Sequence, residues 1–399
     1  MTDACIAAEG VRKRVALIYA FFPHYRAPVM RALATSNRYD FEFWGSTTEV
    51  EGIKPCPSDD VVHIRPLSFR NNKRGGRISG YWKPVFDRNV GALIVLGNPN
   101  LIDTWFIAIV GRIVGKKVLF WTHGWLRPEP YFKAWLRNLY FGLGQRILTY
   151  GERAKLLAMK SGFAGEKISP IYNSLDWDKA RSIFEKLERQ DLSTLRTELV
   201  GRSDLPLLIC TARLTSLCRF DLLLEALAKL AASGKETRLL LVGDGPERSP
   251  LEAQAKRLNL SVVFTGALYD EDRLGAMIYA ADLTISPGKV GLTAVHSLMY
   301  GTPVITHDNP DAQMPEVEAI VPGESGSFFK EGDVEDLVRT ISHWLNRDID
   351  RKSVRTKCHH VIRTKYNPVT QRQLIENALD VVFQVGSARA VGARAGSAT

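Results

Sequence analysis

Short apolar runs alternate with helical patterns along most of this 399-residue chain. In the first half, strands are predicted at "VALIYAF" (15–21), "YDFEFW" (39–44), "GALIVLG" (91–97), "KVLFWTH" (117–123), "RILTY" (146–150) and "ISPIY" (168–172), with helices between most of them. A charged stretch without strands, 177–204, interrupts the rhythm. It restarts with "LPLLICT", "TRLLLVG", "SVVFTG", "ADLTIS" and "TPVITH". The helix after "LICTARL" carries Phe220, Leu223, Leu224, Leu227 and Leu230 on one face, which packs on the second sheet. Such alternation is what parallel sheets covered by helices require.

The expected architecture is α/β: two Rossmann-like, doubly wound domains facing a central cleft. The first spans 1–180, 181–204 is a linker, and 205–365 forms the second domain. A C-terminal helix, 366–385, packs back on the first domain. The tail 386–399, "GSARAVGARAGSAT", has the small-residue composition of a disordered end. In open α/β sheets ligands bind beyond the carboxyl ends of the strands, so residues just after each strand carry the interest.

Composition narrows the classes. With 45% hydrophobic residues the chain is long enough for two cores. Cys5, Cys56, Cys210, Cys218 and Cys358 lie far apart with no C-x-x-C pair, which excludes a zinc ribbon or a disulfide framework and fits a reducing cytosol. The apolar run after the N-terminal basic cluster is too short for a signal segment, and "WFIAIVGRIVG" falls short of a membrane span. A soluble or peripheral protein is expected. Residues 1–180 hold 26 Lys and Arg against 15 Asp and Glu, so the chain's excess of positive charge belongs to the first half. That field suits an anionic partner, or is simply a solvated surface.

The most informative stretch is "SPGKVGLTAVHSLMYGTPVI", 286–305. After a strand the chain turns through Pro287 and Gly288 and starts a helix near Val290 or Gly291, exposing amides that the helix cannot satisfy. This is an anion site. Lys289 adds a charge beside it. On a helical period Thr293 and His296 share one side, and either meet a ligand together or serve as a cap and a satisfied histidine.

"ICTARLTSLCRFDLLLEAL", "LLLVGDGPERSPLEAQAKRL", "VVFTGALYDEDRLGAMIYAADLTISP" and "GLTAVHSLMYGTPVIT" follow one another in an order and spacing that resemble the family 4 glycosyltransferases of the GT-B fold. The resemblance is good over 205–345 and looser before. It implies a nucleoside diphosphate sugar, UDP- or GDP-linked, whose diphosphate lies on Val290, Gly291, Leu292 and Thr293. It also implies an Arg and a Lys after the first strand of the second domain. Arg213 matches the Arg; the Lys position falls on Cys218, with Arg219 beside it expected to compensate. The family's Glu-x7-Glu pair aligns with Gly288 and His296, so both carboxylates are absent. His296 is expected on a ribose hydroxyl, and Gly288 offers only backbone to the sugar. Base contacts map to Gly266, Ala267 and Leu268, with the Gly243 turn nearby. In "WTHGW", His123 matches a histidine that faces sugar and α-phosphate from the first domain. The loop "FFPHYRAPV" offers His24 and Arg26 to the acceptor.

"DWD" at 176–178 imitates a metal motif of another glycosyltransferase fold, but it sits in the linker turn, and no metal or other cofactor is expected. The stretches "SFRNNKRGGRISGYWK" and "WLRPEPYFKAWLRNLYFGLGQR" mix aromatic and basic residues in a way suited to an anionic bilayer surface. No nucleic-acid module accompanies them. The resemblance thus implies a retaining, metal-independent transferase acting on a saccharide or lipid-linked acceptor in polysaccharide or glycoconjugate synthesis. It would be cytoplasmic and on the inner face of the membrane if it binds there. The missing glutamates keep a non-catalytic nucleotide-binding relative, or a sugar epimerase, as rivals.

Overall fold

The computed structural model describes residues 12–50, 53–72 and 75–395. Cys5 and residues 396–399 of the expected tail lie outside them. The first unit runs β1 (Lys13–Phe21), α1 (Ala27–Ala34), β2 (Tyr39–Ser46), β3 (Ile64–Pro66), β4 (Ser68–Asn72), β5 (Gly75–Ser79) and α2 (Trp82–Phe86). It continues with β6 (Val90–Leu96), α3 (Ile102–Ile113), β7 (Lys117–Thr122), α4 (Tyr131–Gly142), β8 (Arg146–Thr149), α5 (Glu152–Lys160) and β9 (Ile168–Pro170). Seven of these strands form one parallel sheet in the order β3-β2-β1-β6-β7-β8-β9, while β4 and β5 pair as a separate antiparallel hairpin. The middle of β1 is buried without a break because helices cover both faces. One core joins the sheet to α2, α3, α4 and α5; the other joins it to α1 and to the C-terminal helix.

The second unit contains α6 (Trp177–Leu187), α7 (Leu192–Val200), β10 (Leu207–Thr211), α8 (Phe220–Ala232), β11 (Arg238–Val242), α9 (Arg248–Arg257), β12 (Val262–Gly266) and α10 (Glu271–Ala280). Then follow β13 (Leu283–Ser286), α11 (Leu292–Met299), β14 (Val304–His307), β15 (Gly326–Phe329), α12 (Val334–Leu345), α13 (Arg351–Thr364) and α14 (Pro368–Ala395). Its parallel sheet has the order β12-β11-β10-β13-β14-β15.

The stretch 181–204 does not behave as a linker. It forms most of α6 and α7, whose Ile183, Phe184, Leu187 and Leu195 are buried in the core of the second unit. Charge on the outer face of these two helices hides their apolar stripe in a simple count. Asp176, from the "DWD" triplet, caps α6 by accepting from the Lys179 amide at 3.1 Å. Helix α14 lies on the first unit through Ile375, Ala378 and Leu379, and runs on to Ala395 through residues expected to be irregular. Its Ala and Arg content favours helix.

The two units are tied at one edge of the cleft. The carboxylate of Glu318 accepts from the amides of Glu152 and Arg153 at 2.8 and 2.9 Å, so a residue of the second unit caps α5 of the first. Asn173 donates to Glu316 at 2.8 Å, and Ser174 donates to Gln371 at 2.6 Å. Burial raises Glu316 and Glu318 above the usual carboxylate range.

Candidate active site

The turn from β13 to α11 is built by two neighbours that lie far away in sequence. The segment 215–219 presses on Gly288: the Gly288 amide donates to Cys218 O at 3.0 Å and the Lys289 amide to Leu217 O at 3.3 Å. A Cβ at residue 288 would sit 2.0 Å from Leu217 O. A side chain there, a glutamate included, is incompatible with this loop position. The missing carboxylate at 288 and the displaced cation at 218 are therefore one packing arrangement rather than two separate losses.

On the other side, Gln313 accepts from the Val290 amide at 2.7 Å, and Gln313 in turn donates to Thr306 at 2.9 Å. Val290 thus leaves the expected phosphate-binding set, because its amide is already satisfied inside the protein. Gly291, Leu292 and Thr293 remain. Their amides stand at the start of α11, where the helix supplies no acceptor. The Thr293 hydroxyl is turned away to donate to Thr211 O at 2.9 Å, which fixes the helix against the end of β10.

The cations divide differently from the expectation. Arg213, just beyond β10, is exposed, and no side-chain partner occupies its guanidinium among the described residues. Arg219 is in the left-handed region, φ 52°, and its guanidinium is paired with Asp221 at 3.1 Å. The turn that packs 215–219 against Gly288 sends this side chain to Asp221 at the start of α8. Lys289 is exposed on the turn, and its charge bears on His123 of the first unit.

His123 follows β7, with its ring 4.8 Å from that of Tyr150. The residue is open to solvent on one side, but the protein packed around the ring desolvates it, and with the charges of Arg26 and Lys289 this brings its pKa down to about 4. The imidazole is neutral near pH 7 and can donate or accept one hydrogen bond. His24 and Arg26 do not form a pair. His24 is exposed, whereas Arg26 turns inward, bonds the Tyr150 hydroxyl and lies over the Trp121 and Tyr19 rings at 4.9 and 5.1 Å. It shapes the wall behind His123.

His296 does not offer a free Nε2 to a ribose. That nitrogen lies 2.8 Å from Glu271, which also accepts from the Tyr300 hydroxyl at 2.7 Å. Burial works against the charge on Glu271, but these two hydrogen bonds outweigh it and hold its pKa below the usual value. Sequence reasoning missed Glu271, which begins α10 and stands 25 residues from its partner. The base-side loops are joined: the Gly243 amide donates to Gly266 O at 2.9 Å, and a Cβ at Gly243 would meet Ala212 O at 1.9 Å. Ala267 is exposed and Leu268 partly buried beside them. Among the described residues no group of three or more His, Cys, Asp or Glu is arranged to hold a metal ion.

A family model described as "Glycosyl transferases group 1" matches residues 193–360. The 2-deoxystreptamine glucosyltransferase of Streptomyces kanamyceticus is 28% identical over 206 residues, 50% of this chain and 51% of that protein. The GDP-mannose-dependent α-(1-6)-phosphatidylinositol dimannoside mannosyltransferase of Mycobacterium tuberculosis is 35% identical over 102 residues, 25% of this chain and 26% of that one. The chain thus spans about half the length of the first relative and about a quarter of the second. Among solved structures, Anabaena Alr3699/HepE in complex with UDP superposes with a TM-score of 0.68 at 17% identity, covering 92% of this chain and 100% of that one. The likeness is one of fold.

Proposed function

We propose, from the premise that this chain belongs to the group 1 glycosyltransferases of the GT-B fold, that it transfers a sugar from a nucleoside diphosphate sugar to an acceptor held by the first unit. One observation carries the reading: α11 starts at Gly291, Leu292 and Thr293 with no side-chain cap, and Lys289 on the same turn is close enough to His123 of the first unit to act on its charge. Oriented amides and cations are what a diphosphate leaving group needs.

The diphosphate rests on these three amides, with Arg213 and Lys289 as the two cations. As the glycosidic C–O bond loosens, negative charge grows on the departing phosphate oxygen, and groups already aimed at it stabilise it without reorganisation. The acceptor hydroxyl attacks from the same face and the leaving phosphate takes its proton, so configuration at the anomeric carbon is retained. His123 orients the sugar as a neutral hydrogen-bonding group. The step as proposed uses no divalent ion, because cations and the helix dipole offset the charge. The ribose is met by the His296–Glu271 pair rather than by a lone side chain.

The acceptor is a saccharide or a lipid-linked saccharide, and the enzyme serves polysaccharide or glycoconjugate synthesis at the inner face of a cytoplasmic membrane. One relative named above acts on a phosphatidylinositol glycoside, which supports the lipid-linked choice. Calorimetry with UDP and with GDP tests the nucleotide site directly. Binding of one of them, weakened at least tenfold in Arg213→Ala, is expected; failure of both to bind overturns the proposal.

A further inference from the structure

The helices α2 to α5 cover one face of the first sheet, and their inner sides share a single core. Their outer sides are also apolar. Two thirds of the large apolar side chains exposed in the described residues fall between 82 and 159. On α3, Ile102, Phe106, Ile109 and Ile113 recur at helical spacing along the outer surface. On α4, Tyr131, Phe132 and Trp135 are exposed, the first two by 87 and 69%, and the Phe132 and Trp135 rings stack at 6.0 Å. Soluble surfaces rarely leave so much contiguous apolar area uncovered.

The charge around this face selects its occupant. Residues 82–160 contain twelve Lys and Arg but only four Asp and Glu. Three of those four are already paired with arginines, Asp87 with Arg14, Asp103 with Arg77 and Glu129 with Arg137. A second copy of the chain would bring like charges together across a two-fold interface, which opposes self-association. An anionic lipid surface accepts both features, aromatic side chains at the headgroup level and cations beside them. No described helix is long and apolar enough to cross a membrane.

We infer that the outer face of α2 to α5 docks this protein flat on an anionic bilayer. Helices α3 and α4 lie against it, through Ile102, Phe106, Ile109 and Ile113 of the one and Tyr131, Phe132 and Trp135 of the other. This gives the acceptor reading above a location, and rests on that reading only for the identity of what is carried there. The docking itself is independent of the chemistry.

Sedimentation of the full chain with vesicles tests it. Vesicles of phosphatidylglycerol mixed with phosphatidylcholine should pull the protein down at low salt. Pure phosphatidylcholine should do so weakly, and added salt should release it, since exposed charges are largely screened beyond about 10 Å at 0.1 M. Phe132→Ser with Trp135→Ser should lower partitioning by about tenfold or more, given the apolar area withdrawn from lipid. Lys133→Glu should lower it on anionic vesicles only. UDP or GDP binding in solution should stay unchanged in all these variants, which separates loss of docking from misfolding and from failure of the transferase proposal. No sedimentation with anionic vesicles at low salt overturns the inference. So does unaltered sedimentation of the double Ser variant, or a dimer in the wild type that the double variant dissolves.

Discussion

The coupling between Gly288 and the 215–219 loop makes a demanding prediction. Placing a side chain at 288, even the carboxylate that the family resemblance implies there, should damage the donor site rather than repair it. In Gly288→Ala the new Cβ would lie 2.0 Å from Leu217 O and 2.8 Å from Cys218 C, both backbone atoms that cannot turn aside. The loop must retreat by an ångström or more. In doing so it releases the Gly288–Cys218 and Lys289–Leu217 hydrogen bonds. Two net hydrogen bonds at about 1 kcal/mol each, with about 1–3 kcal/mol for overpacking, give a cost of about 3–5 kcal/mol, shared between stability and the position of Lys289. Thermal denaturation should show a clear loss, and calorimetry with the preferred nucleotide should show weakening by at least tenfold. Gly288→Glu should be no better than Gly288→Ala. A Glu variant that keeps full stability and binds nucleotide as tightly as wild type would refute the link between the two departures.

The division of cations predicts that Lys289→Met weakens nucleotide binding by about 10- to 100-fold, the worth of one charge-assisted hydrogen bond, while Arg219→Met changes it by less than about threefold. The reverse order in calorimetry would return Arg219 to the site. His359, packed between Trp177 and Phe184, has its pKa brought down to about 4, chiefly by burial. An unfolded histidine binds its proton near pH 6.5, so the unfolded state takes up more protons between about 6.5 and 4, and stability falls as pH drops through that window. His359→Phe should flatten that part of a denaturation-versus-pH curve; an unchanged slope would show that other groups set it.

The central strands are legible in sequence because burial on both faces leaves unbroken apolar runs, as in β1 and β6. The edge strands β3 and β15 are not, since three or four residues with mixed burial carry no period. The phosphate-binding turn is legible from Pro287, Gly288 and the helix pattern after it. What closes that turn is not: Gln313 stands 23 residues from the Val290 amide it satisfies, and the left-handed φ of Arg219 arises from a loop held by Gly288. The same holds for His296, whose partner Glu271 belongs to the preceding helix. A motif fixes residue types along one segment, whereas each of these contacts is set by how two segments meet. That is why Arg213, Lys289 and the helix-start amides could be named from sequence, while the pairing of Arg219 with Asp221 and of the Val290 amide with Gln313 could not.

Donor turnover tests the central claim most directly. The wild-type chain and Arg213→Ala would be incubated with a panel of UDP- and GDP-sugars and a membrane lipid extract, with released nucleotide and glycosylated product followed by mass. One donor should be consumed with equal release of nucleotide and gain of product, at least tenfold more slowly in the variant. Nucleotide bound tightly but no donor consumed with any acceptor would contradict it, and would make this chain a nucleotide-binding relative without transferase activity.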